Sequence, residues 1–236
     1  MLASLLTLTA LTLPAWDAPR PRVAVDTRPP NAHEARVFGA AYCEGKPGCR
    51  VEFQPIGGDG RKLPVMNRRQ PVSVAYGSFT RPSAQEVLMT LCVAESDNCD
   101  GTTLLRREGG RWKTVHHTEG VYPSECLKFR RFDGRDQLAC RSNGFLMMHG
   151  QKLHLVTADA RRTTRKTLVD GELRGCGEKT TTLARLGDWR RQDVNGDGRP
   201  DLVVEVDRYV LTAEKPSCPP SPDRVEGTRT LRRFGM

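Results

Sequence analysis

Residues 193–204 read DVNGDGRPDLVV, an acidic, glycine-containing stretch that runs straight into valines. It places Asp193, Asn195, Asp197 and Asp201 at positions 1, 3, 5 and 9 of a short loop. Calcium is a hard cation that gathers six to eight oxygens, and side chains at alternate positions can wrap it. At position 7, Arg199 contributes a backbone carbonyl, which any residue has. Gly198 stands at position 6, where the chain has to turn sharply, and Gly196 relaxes the loop further. Three carboxylates supply the charge for a dication, while Arg190, Arg191 and Arg199 pull the other way and weaken binding. A helix–loop–helix sensor would need a bidentate glutamate at position 12. That position is Val204, inside a β-branched run, LVVEV, that favours strand. The loop therefore belongs between strands, with Asp201 closing it as the chain enters the second.

Outward from this loop, short apolar runs alternate with turn signals and little helical periodicity is seen. Strands are expected over 50–54, 72–76, 87–93, 103–107, 112–116, 127–131, 137–141, 145–149, 152–156, 182–186, 202–206, 209–212 and 228–233. Residues 183–186 could instead open a short helix. A faint repeat runs through the strands: strand, polar or acidic turn, strand, tight turn, strand. Aligning Glu86, Gln137 and Asp201 gives spacings of 51 and 64 residues, in the range of stacked repeat units. Asn143-Gly144, Gly109-Gly110 and Gly150 suit tight hairpins, so each unit reads as an antiparallel meander. A fourth, degenerate unit could lie within 37–70. The fold class expected is all-β.

The Asp193–Val206 pattern resembles the FG-GAP or VCBS-type repeat found in calcium-binding blades of integrin α chains and in many exported bacterial proteins. The same rhythm is weaker over Gly77–Val115 and Leu127–Val156. The resemblance implies three or four propeller-blade-like meanders, forming a small or incomplete β-propeller. It further implies calcium held by Asp193, Asn195, Asp197, the Arg199 carbonyl and Asp201, and a role in adhesion or ligand binding. The FG-GAP phrase is intact in no unit. Asp133-Gly134-Arg135 keeps the turn of the second unit, but Phe129 and Arg131 stand at its ligand positions, and Arg81 and Ala84 similarly spoil the first.

Only 37% of the 236 residues are hydrophobic, a lean core that cross-links would help. Eight cysteines supply them: Cys43, Cys49, Cys92, Cys99, Cys126, Cys140, Cys176 and Cys218. Pairing of sequence neighbours fits the meanders, with 43–49 closing a Gly/Pro loop, 92–99 a hairpin, 126–140 a strand–turn–strand and 176–218 the third unit. The close pairs are separated by five and six residues rather than the two that zinc sites want. Residues 1–15, MLASLLTLTALTLPA, are apolar and uncharged, and read as a cleaved signal peptide. Residues 16–36, rich in proline and arginine, read as an extended leader, and 37–236 as a single β-repeat domain. No later stretch is long and apolar enough to span a membrane. The expected location is secreted, periplasmic or the cell envelope.

The formal net charge is +9, carried largely by scattered arginine doublets. Such a chain is drawn to anionic surfaces, but no aromatic-interleaved basic tract gives a specific nucleic-acid signature. Catalytic motifs fail on inspection. His33-Glu34 begins H-E-x-x-H but position 37 is valine, and no G-x-S-x-G occurs. On a strand the rings of His116 and His117 point to opposite faces; the pair reads as a strand end entering a loop. Trp112 and Trp189 read as packing aromatics. The leading expectation is an exported, non-catalytic calcium-binding module with an unknown protein or glycan ligand. Two others remain: a secreted hydrolase with a structural calcium ion, and a basic binder of anionic polysaccharide, lipid or nucleic acid.

Overall fold

A computed structural model describes residues 25–47, 49, 51, 69–93, 99–142, 151–171, 174, 177–215 and 224–236. The signal peptide, the first part of the leader, the strand expected over 145–149, and Cys176 and Cys218 lie outside the described residues. One helix and eleven strands are present among those described. Helix α1 spans Ala32–Cys43. The strands form three antiparallel sheets. Sheet 1 holds β1 (Arg69–Gly77), β2 (Glu86–Val93), β3 (Cys99–Glu108) and β4 (Arg111–Glu119). Sheet 2 holds β5 (Glu125–Arg130), β6 (Asp136–Ser142), β7 (Lys152–Ala158) and β8 (Thr163–Asp170). Sheet 3 holds β9 (Thr180–Gln192), β10 (Asp201–Thr212) and β11 (Arg224–Phe234). Within each sheet, neighbours in space are neighbours in sequence, so each is a plain meander.

Alternation explains why the sheets stack. On β2, Leu88 faces one way, and Val87, Met89 and Leu91 the other; all four are buried. Leu88 joins Ala75, Phe79 and Leu104 of sheet 1 against Cys126, Leu138 and Val156 of sheet 2. The other face of sheet 2, with Leu127, Phe129 and Leu153, meets Leu186, Trp189, Leu202, Val204 and Val206 of sheet 3. Sheet 2 is thus apolar on both faces, whereas Met89 and Leu105 on the outer face of sheet 1 are covered by Phe38 and Tyr42 of α1. The order is helix, sheet 1, sheet 2, sheet 3. The sheets do not close into a barrel, and no core cluster of described residues joins sheet 3 to sheet 1. The all-β class holds, with one helix added.

The helix departs from the sequence reading, which gave residues 16–36 as an extended leader and placed a possible β unit from residue 37. Asn31 caps it: its side chain accepts from the Glu34 N–H at 2.9 Å, and the Glu34 carboxylate accepts from the Asn31 N–H at 2.8 Å. Ala35, Phe38, Ala41 and Tyr42 then form a buried stripe at helical spacing. The segment before the helix is also packed. Arg28 exchanges two backbone bonds with Val74 of β1, and the Asp26 N–H donates to the Cys126 carbonyl of β5. This strap ties the first strand of sheet 1 to the first of sheet 2.

Three cysteine pairs are bonded as expected: Cys43–Cys49, Cys92–Cys99 and Cys126–Cys140. Cys126 and Cys140 face each other directly across β5 and β6. Gly109 and Gly110, both at positive φ (57° and 81°), make the two-residue β3–β4 hairpin. Strands expected separately over 202–206 and 209–212 are one continuous β10, and 183–186 lies in β9 rather than a helix. Strand β8 was not expected at all.

Candidate metal loop and its counterparts

The acidic loop connects β9 to β10, and Gln192 pairs with Asp201 at its base. It is therefore a strand–strand bend, as its valines required. Gly196 and Gly198 take φ of 75° and 79°, the left-handed conformation that side chains resist. These turns present the loop's backbone N–H groups to its own side chains. The Asp193 carboxylate accepts from the Gly196 N–H at 2.7 Å and the Gly198 N–H at 2.8 Å. Asn195 Oδ1 accepts from the Asp197 N–H at 3.1 Å, Asp197 Oδ1 from the Arg199 N–H at 2.8 Å, and Asp201 from the Val194 N–H at 3.3 Å. Asn195 Nδ2 donates to Asp197 at 3.0 Å. Backbone amides thus hold all four expected ligand side chains, Asp193, Asn195, Asp197 and Asp201, within one short bend. The donor set is all oxygen, which fits a hard cation and not zinc. Among the described residues, no three His, Cys, Asp or Glu side chains already stand in a metal-chelating array. An ion here would need Asn195 and the Arg199 carbonyl as well as the aspartates.

Comparison of the three sheets sharpens the site. In each, the second strand opens with an acid: Glu86 in β2, Asp136 in β6, Asp201 in β10. The structural counterpart in sheet 2 is Asp136, paired with Arg130, and not Gln137, one residue on. Two of these acids carry an internal cation. Glu86, 1% exposed, accepts from the Phe79 and Thr80 N–H groups at 2.7 and 2.9 Å and from Arg106 Nε at 2.8 Å. Asp136 accepts from the Ser78 N–H at 2.8 Å and from Arg130 at 3.2 Å. In sheet 3, Asp193, Asp197 and Asp201 make no ion pair with lysine or arginine among the described residues. The nearest arginine in sequence turns away: the Arg199 guanidinium lies over the Phe132 ring, 3.8 Å from its centroid. In a chain of 37 basic residues, these three carboxylates are held by backbone amides and, at Asp197, by the Asn195 side-chain amide.

Three of the five histidines meet hydroxyl groups. His116 and His117 lie inside β4, not at a strand end, and on opposite faces as expected: His116 meets the Thr163 hydroxyl at 3.0 Å and His117 the Thr103 hydroxyl at 2.9 Å. His154 sits between Ser142 and Thr167, at 3.2 Å from each hydroxyl. Burial lowers the pKa of all three. Trp112 packs edge-on against Phe38 at 5.1 Å, and Trp189 is buried between sheets 2 and 3.

Beside the loop lies a cleft of about 680 Å³, walled on the other side by the β5–β6 turn. Phe132, at the tip of that turn, is 78% exposed, and nothing in the sequence distinguished it from a core aromatic. No family model, no curated protein and no solved structure matches the chain.

Proposed function

We propose that the chain is an exported, non-catalytic β-repeat protein that holds one calcium ion in the β9–β10 loop and serves in binding, adhesion or envelope organisation. The observation that supports this most is the loop itself. It is the member of three equivalent bends whose acids have no internal cation, and it collects three carboxylates and an amide oxygen around two left-handed glycines. In the other two bends an arginine does the work of a cation; here a divalent ion would. Three disulfides in a chain with a lean core agree with an oxidising compartment. No described helix is long and apolar enough to cross a membrane. The units are read as degenerate FG-GAP-type blades, of which the third alone keeps its metal loop.

Calcium in extracellular modules often binds at about 10⁻⁴–10⁻³ M. With a Kd near 0.1 mM, about 1 mM calcium adds roughly 1.4 kcal/mol of stability, about 3–5 °C in Tm for a chain of this size. The expected result is a higher thermal midpoint in calcium than in chelator, with the gap abolished in Asp197→Ala. An unchanged gap in that variant would put the ion elsewhere.

A further inference from the structure

We infer that the β7–β8 hairpin and the free edge of β8 bind a linear carboxylated polysaccharide. This names a ligand class for the binding role, and it stands whether or not the β9–β10 loop takes an ion. Residues 158–167 read ADARRTTRKT. Arg161, Arg162, Arg165 and Lys166 are all exposed, and none of the four makes an ion pair among the described residues. Elsewhere arginines are answered by acids: Arg28 by Glu34, Arg131 and Arg135 by Asp133, Arg190 by Asp188, Arg224 by Glu226. Four unanswered cations within six residues set this hairpin apart.

The hairpin's own acids do not neutralise them. The Asp159 carboxylate accepts from the Arg161 and Arg162 N–H groups at 2.7 and 2.9 Å, and so is spent on closing the turn. Asp170 stands 3.5 Å from Lys152, at the other end of β8. Over residues 151–171 there are five cations, with Lys152 counted, and two carboxylates, a net charge of +3 with the buried His154 neutral. From the β5–β6 turn, Arg135 also acts on Asp159 and is itself paired with Asp133 at 2.6 Å.

The shape of the patch selects the partner. Strand β8 is the edge of sheet 2 and is bonded to β7 alone. Arg165 stands opposite Val156 and Lys166 opposite Leu155, so the two point to opposite faces and flank the edge between them. The Thr163 N–H turns away from β7 to the Thr118 hydroxyl at 3.0 Å, so by alternation the Arg165 N–H also faces the free edge. At about 3.3 Å per residue, Arg162 to Lys166 makes a line about 13 Å long, suited to an extended polymer. Three of the four cations are arginines, whose fork matches a carboxylate. None of the large exposed apolar or aromatic side chains lies on the hairpin. Bases therefore find no stacking platform there, and a lipid surface no apolar anchor. Charge, hydrogen-bond donors and an open edge without rings fit a hydroxylated polyanion.

The test is calorimetric titration of the full chain with hexagalacturonate in chelator, which keeps the metal loop out of the result. Hexaglutamate and hexathymidylate are the charged controls. Affinity for the uronate is expected to fall steeply as salt rises. Arg161→Ala/Arg162→Ala and Arg165→Ala/Lys166→Ala should each weaken it by at least about fivefold and flatten the salt dependence. Both should keep the native Tm, because the four side chains are exposed. Arg36→Ala/Arg107→Ala, which removes the same charge from exposed positions on α1 and β3, should change the affinity by less than about twofold. No uronate binding, an equal loss in the control pair, or equal affinity for hexaglutamate or hexathymidylate would overturn the inference. The calcium-dependent gap in Tm is read separately, so either reading can fail alone.

Discussion

Glu34 shows how one side chain can hold an element in place. The Arg28 guanidinium donates to it at 2.6 and 2.7 Å, Tyr76 donates its hydroxyl at 2.5 Å, and the Asn31 N–H completes the set. These donors, Arg28 first, hold its pKa down to about 2 against some desolvation. A carboxylate with a depressed folded pKa stabilises the fold above its ordinary value of 4.5 and loses that contribution as pH falls from there towards 2. Arg28 is half exposed, so solvent screens much of the effect. Glu34→Gln should therefore be less stable than the native chain at neutral pH, with the difference closing as pH falls from 4.5 to 2; urea midpoints across that range check it. At the same scale, the β9–β10 bend was legible as a strand–strand turn because its glycines take the left-handed turn and its valines run straight into a strand. Phe132 and the Arg199 side chain were not, because a stack between two distant turns leaves no local pattern.

At the scale of the element, the strands were legible wherever one face is buried. Val87–Val93 runs through β2 because its apolar residues pack on both faces, against sheet 2 and under α1, and Leu202–Val206 runs through β10 because Leu202, Val204 and Val206 pack against sheet 2. Strand β8, TTRKTLVD, escaped because it is an edge strand with exposed Arg165, Lys166 and Thr167 and no alternation to read. Helix α1 escaped for another reason. Its capping box, Asn31 with Glu34, follows two prolines in a charged segment, and half of its apolar stripe is alanine, which reads weakly as core. The cap contributes nonetheless. Asn31→Ala should cost about 1 kcal/mol, seen as a lower urea midpoint, whereas Arg36→Ala, on the exposed side, should cost little. Equal effects would show that the cap is idle.

At the scale of the molecule, the three sheets form one series because sheet 2 has no free face. Leu138 belongs to the core shared with sheet 1 and Leu153 to the core shared with sheet 3. Each sheet therefore depends on its neighbour, and the chain should unfold in a single transition despite its repeated units. Trp112 reports on sheet 1 with its helix, and Trp189 on the seam of sheets 2 and 3. In a Trp16→Phe background, fluorescence of Trp189→Phe and Trp112→Phe variants should give coincident denaturation midpoints once each variant is referred to its own circular-dichroism curve; separate midpoints would mean the sheets fold independently. The meander rhythm foretold this series, but not the helix that covers its first sheet.

In the proposed function, the third bend takes an ion where the first two take an arginine. A crystal structure of the chain grown in calcium, with the ion located by anomalous scattering, tests this. One ion is expected within about 2.3–2.6 Å of oxygens from Asp193, Asn195, Asp197, Asp201 and the Arg199 carbonyl. A well-ordered loop with those carboxylates still turned only onto their own amides in millimolar calcium, or an ion bound at other residues, would contradict it.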